Sequence, residues 1–77
     1  MLDTAQFLEL MKETIEIEDR ELSLDDKFRD MDEWTSLAYL STIAMIDDEY
    51  NVIIDAAEFR QLETIGDIAK AIETHLA

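Results

Sequence analysis

Ser36 lies in the run Asp32-Glu33-Trp34-Thr35-Ser36-Leu37, where a helical hydrophobic pattern begins. From Asp30 to Phe59 there is no Lys or Arg, while Asp30, Asp32, Glu33, Asp47, Asp48, Glu49, Asp55 and Glu58 are acidic. A serine at a helix start can carry a phosphate-linked group, because unpaired backbone N–H groups and the positive end of the helix dipole favour an anion there. The acidic surroundings suit partners with basic patches. Serines are also common at helix starts as plain capping residues, so spacing alone leaves both readings open.

Other chemistry is hard to assemble. The chain has one histidine, His75, and no cysteine. A Ser36–His75–carboxylate arrangement would need an imidazole from the terminal turn to reach the serine, and the dipole of a helix end accounts for His75 more simply. Asp30-x-Asp32 could open a calcium loop, but Thr35 and Ser41 stand where glycine and glutamate are needed, so no metal site is expected. Asp47-Asp48-Glu49 point in different directions on a helix and oppose its dipole, which favours a docking role over acid–base work. The chain is not expected to be an enzyme.

The 77 residues form one expected domain, residues 1–77, with 48% hydrophobic content against a formal net charge of −14. A core this small leaves about 3–5 kcal/mol of net stability. The lack of cysteine is compatible with a reducing compartment, and a cytoplasmic location is expected. Met1-Leu2-Asp3 has an acid where a signal peptide would be basic, and the apolar runs are too short to insert in a membrane. Excess negative charge disfavours nucleic acid as a partner. A monomer is expected.

Caps define the elements, since there is no proline and only Gly66. Asp3-x-x-Gln6, with Leu2 and Phe7 as a hydrophobic staple, opens helix I over about residues 4–16, whose Phe7, Leu8, Met11 and Ile15 repeat at helical spacing. Residues 18–33 read as a long ordered loop anchored by Leu22, Leu24, Phe28 and Met31. Thr35 caps helix II and makes Ser36 its first residue, with Trp34 and Tyr39 as the staple. Tyr39, Ile43, Ile46 and Tyr50 are expected on its buried face, with Leu37, Ser41, Ala44 and Asp48 opposite. Asn51–Ile54 reads as an extended loop, Asp55-x-x-Glu58 starts a short helix III, and Thr64-x-x-Asp67 caps helix IV with Ile65, Ile68, Ala69, Ile72 and Leu76 at core spacing. The expected fold is all-α: a bundle of three longer helices and one short helix III, with a long loop between helices I and II.

At this point the chain resembles the acyl carrier proteins. The resemblance rests on Phe28 and Asp30-Met31, then Thr35-Ser36-Leu37, then Tyr39, Ile43, Ile46 and Glu49-Tyr50. It continues through Val52-Ile53-Ile54-Asp55 and Leu62-x-Thr64-Ile65-Gly66-Asp67-Ile68, and so covers essentially the whole chain. The resemblance implies a four-helix carrier in which a phosphopantetheinyl transferase attaches a 4′-phosphopantetheine arm from coenzyme A to Ser36. The arm's thiol would hold acyl or aminoacyl groups as thioesters for loading and transfer enzymes with basic patches. Leu37, Ser41, Ala44, Asp47 and Asp48 are the expected docking residues. Ile43, Ile46, Ile54, Phe59 and Leu62 are first of all packing residues and, by resemblance, a possible acyl-chain pocket.

The chain departs from the family pattern at several places. Thr35 stands where aspartate usually precedes the serine, Asp32-Glu33-Trp34 replaces a Leu-Gly element, and Ser41 and Ala44 stand where the family has an acid and a methionine. These departures favour a specialised lipid, polyketide or aminoacyl pathway over housekeeping fatty-acid synthesis. The competing reading is an acidic helical interaction module that keeps the fold without the arm.

Overall fold

Immediately before each α-helix, an oxygen-bearing side chain (Asp3, Thr35, Asp55 and Thr64) accepts from the backbone N–H three residues further on. The computed structural model describes residues 2–76, so Met1 and Ala77, the ends of the expected domain, lie outside the described residues. Helix α1 spans Thr4–Thr14, α2 Ser36–Tyr50, α3 Ala56–Phe59 and α4 Ile65–Leu76. The expected four-helix order and the short third helix are therefore present, and α1 packs on both α2 and α4.

Helix α1 begins where Asp3 accepts from Gln6 N at 3.2 Å, with Leu2 and Phe7 both buried. It ends two residues earlier than expected. Glu16 adopts a left-handed φ of 59°, Glu16 N donates to Glu13 O, and Ile17 N reaches back to Lys12 O at 2.9 Å. That bond pattern closes the helix and buries Ile17. Glutamate is poorly suited to a left-handed position, so no local signal announced the stop.

The loop that follows is ordered by its ties to the start of α4. Ile65 N donates to Asp26 O at 2.9 Å and Gly66 N to Leu24 O at 2.8 Å, so loop carbonyls satisfy two N–H groups that a helix start leaves open. A Cβ on Gly66 would sit 2.9 Å from Leu24 O, so this close approach requires glycine. Thr64 and Asp67 complete the cap reciprocally: Asp67 N donates to Thr64 Oγ1, and Thr64 N and Glu63 N donate to Asp67 Oδ2. Those two backbone donors hold the Asp67 carboxyl below the usual range. Of the expected anchors, Phe28 and Leu22 are buried and Leu24 and Met31 partly so. Phe28–Asp30 forms a 3-10 turn that the sequence pattern did not reveal.

Two core assignments shift. The centre of the α2 buried face is Ala38, Thr42 and Ile46, while Tyr39, Ile43 and Tyr50 flank it half-buried. On α4, Ile65, Ile68, Ala69 and Ile72 are buried as expected, but Leu76 is exposed in the last turn. Asn51 caps α2 in the left-handed region, and Val52 and Ile54 then enter the core while Ile53 faces out, as an extended segment requires.

Candidate functional site

Thr35 is extended, and its Oγ1 accepts from Ala38 N at 3.1 Å, which makes Ser36 the first residue of α2. The cap is thus supplied by Thr35, and Ser36 is exposed with its side chain outside the hydrogen bonds formed among the described residues. Ser36 and Leu37 carry backbone N–H groups that no helical carbonyl can meet at that position.

The approach to the cap is fixed from both sides. Arg20, early in the loop, donates to both carboxylate oxygens of Glu33 at 3.0 and 2.9 Å. This two-pronged pairing holds the Glu33 carboxyl down at about 2. Next in sequence, Trp34 packs among aromatic rings. Its centroid lies 4.7 Å from Phe28 and 6.0 Å from Phe59, and Tyr39 meets Phe59 edge-on at 5.1 Å. The expected Trp34–Tyr39 staple is present as an edge contact at 6.5 Å.

These rings wall an open cleft of about 460 Å³ that contains Thr35 and Ser36. Trp34, Tyr39, Ala56 and Phe59 form its walls, and Arg29 and Arg60 line it as well. Here the structure revises the picture of a serine in a purely acidic field. Arg29 and Arg60 are the residues just outside the Lys- and Arg-free stretch, and the 3-10 turn and the end of α3 bring both to Ser36. No Asp or Glu lines this cleft. A larger groove of about 600 Å³ along α1 is lined by Glu9, Glu13, Glu16 and Glu18 and contains no hydroxyl side chain, so size does not identify the site.

Arg29 has a structural task. Its Nε donates to Leu62 O at 3.0 Å and its Nη2 to Phe59 O at 2.8 Å, and its guanidinium lies 5.0 Å from the Phe28 ring centroid. It thereby closes the end of α3 and sets Phe59 against Trp34. Arg60 is exposed and forms no ion pair among the described residues. Open N–H groups, a positive helix end and guanidinium groups that form no ion pair among the described residues are a donor set that fits a phosphodiester on Ser36.

The remaining expected residues are distributed as follows. Leu37 is 72% exposed, and Ala44, Asp47 and Asp48 are also exposed, while Ser41 is half-buried. Leu40, 61% exposed and three residues after Leu37 on α2, shares this surface and was not among the expected docking residues. Of Ile43, Ile46, Ile54, Phe59 and Leu62, only Phe59 lines the cleft beside Ser36. Ile46 and Ile54 are sealed in the core, and Ile43 and Leu62 are half-buried. His75 bonds Glu58 through Nε2 at 2.8 Å and so ties the end of α4 to α3.

Comparison with known proteins bears on this arrangement. The family described as "Phosphopantetheine attachment site" matches residues 5–72. No curated protein matches. Among solved structures, the chain is similar to the solution NMR structure of holo acyl carrier protein from Geobacter metallireducens, at 20% identity and a TM-score of 0.83. That likeness covers 99% of this chain and 87% of the other and speaks to the fold.

Proposed function

The chain belongs to the phosphopantetheine attachment site family, and from that premise we propose that Ser36 is where the arm is attached. The family is a non-catalytic carrier family, so the chemistry comes from the prosthetic group and the protein contributes presentation. The observation that carries the assignment is the division of labour at the start of α2. Thr35 supplies the cap oxygen, which leaves the Ser36 hydroxyl exposed and next to open N–H donors.

The bound arm supplies a thiol that holds cargo as a thioester. This chain's residues do the rest: Thr35 fixes the helix start, Arg20 and Glu33 hold the approach, and the ring cluster walls one side. The whole chain acts as one carrier domain. Its partners are a phosphopantetheinyl transferase and acyl- or aminoacyl-handling enzymes that present basic patches. They dock on Leu37, Ser41, Ala44, Asp47 and Asp48, joined by Leu40. The exposed acids at the end of α2 support this surface, because its last turn has no basic residue to balance them. A specialised lipid, polyketide or aminoacyl pathway is the setting that the Thr35, Ser41 and Ala44 departures favour. Insertion of an acyl chain among Ile43, Ile46, Ile54, Phe59 and Leu62 would require the core around Ile46 and Ile54 to open.

Intact-mass measurement tests the assignment. With coenzyme A, magnesium and a broad-specificity transferase, the wild type gains the mass of one arm and Ser36→Ala gains none. An unmodified wild type beside a carrier that is modified in the same reaction would refute it.

A further inference from the structure

The chain has 6 Lys and Arg residues against 20 acids, yet two of those six line the cleft that contains Ser36. Acids outnumber bases more than threefold in the chain, but none lines the cleft. The volume, about 460 Å³, falls within the roughly 300–1,000 Å³ typical of small-ligand sites. Its walls combine an apolar surface, with the Trp34 and Phe59 planes 3° apart, and two guanidinium groups. An occupant matched to it carries an anion at one end and an apolar body at the other.

We propose that Arg60 binds the phosphodiester of the arm and that the base of the arm lies in the cleft against Trp34 and Phe59. This rests on Ser36 being the attachment residue. The cleft includes Ser36 itself, so the first group of anything attached there is the one presented to the arginines. A phosphodiester accepts charge-assisted hydrogen bonds from a guanidinium in a geometry that suits arginine better than lysine. The branched dimethyl unit that follows the phosphate in pantetheine gives the rings an apolar surface to cover. Arg29 already spends its Nε and Nη2 on the Leu62 and Phe59 carbonyls, so the donor left open among the described residues is the exposed Arg60. Its cation also offsets locally the repulsion that a net charge of −14 exerts on a further negative group.

A purely structural role for Arg60 has a distinct consequence. As the C-cap residue of α3 it meets the negative end of a four-residue helix, an effect that does not depend on the arm. Trp34 is the single tryptophan and stands in the cleft, so its emission reports on what enters. Wild type, Arg60→Gln and Arg60→Lys are loaded with the arm by the transferase and brought to the same verified mass. Trp34 emission is compared before and after loading, together with the phosphorus NMR resonance of the diester. The wild type changes its emission on loading, Arg60→Gln loses most of that change and shifts the phosphorus resonance, and Arg60→Lys recovers part of both. Equal responses in loaded wild type and Arg60→Gln, or no Trp34 response in loaded wild type, would overturn the proposal alone. Failure of the wild type to gain the arm's mass would overturn the attachment reading and this proposal with it.

Discussion

Trp34 stacks parallel to Phe59, with ring planes 3° apart and centroids 6.0 Å apart, and so joins the residue before the Thr35 cap to the last residue of α3. The position of Ser36 therefore depends on a contact between segments that are distant in sequence. Replacing Trp34 with alanine removes a half-buried ring and its partners, at a cost of about 2–3 kcal/mol, against a total of only about 3–5. Trp34→Phe retains ring packing and should cost less than half as much. Urea titration followed by circular dichroism measures both, and a Trp34→Ala protein as stable as wild type would contradict the coupling.

Among the described residues, two side-chain hydroxyls, Thr42 Oγ1 and Tyr50 Oη, are buried without hydrogen-bond partners. Burial, together with the charges of Glu49 and Asp3, pushes the Tyr50 phenol up from its usual value. A buried hydroxyl left unpaired costs on the order of 1 kcal/mol or more. Thr42→Val and Tyr50→Phe should each raise stability by about 1 kcal/mol, which a small domain registers as several degrees in melting temperature. A drop on either substitution would show that the hydroxyl is satisfied in solution.

Acid should weaken the Arg20–Glu33 clasp in a defined window. Pairing with Arg20 lowers the Glu33 carboxyl from 4.5 to about 2, so in that range the folded state binds fewer protons than the unfolded state. The contribution is fully present above the unfolded value and disappears as pH falls through the folded one. The melting-temperature gap between wild type and Glu33→Gln should be constant near neutrality and close between pH 4.5 and about 2. A gap unchanged across that interval would remove Glu33 as its source.

Self-repulsion of the −14 charge gives a further expectation. Added salt screens exposed like charges beyond about 10 Å at 0.1 M, so melting temperature should rise from low to moderate salt, and magnesium should act at lower concentration than sodium. A flat response would mean that the surface charges do not strain the fold.

What was legible in the sequence was local. Asp3, Thr35, Asp55 and Thr64 each sit three residues before an N–H that they bond, and the Leu2–Phe7 staple is likewise local and buried. Those signals located the helix starts and put Ser36 first on α2. Helix ends were harder, because Glu16 takes a left-handed conformation that its residue type does not advertise. The α2 face was misjudged by a partial turn because the buried centre uses small Ala38 and Thr42 rather than the larger Tyr39 and Ile43. The cleft was invisible for a stronger reason. Arg29 and Arg60 lie 31 positions apart, and only the loop's bonds to residues 59–66 bring them to one serine.

The most direct measurement is fragment mass spectrometry of the protein isolated from its native host. The account predicts the 4′-phosphopantetheine mass on the peptide containing Ser36, located at that residue. Protein from growing cells with Ser36 unmodified throughout, or with the arm on another hydroxyl, would contradict it.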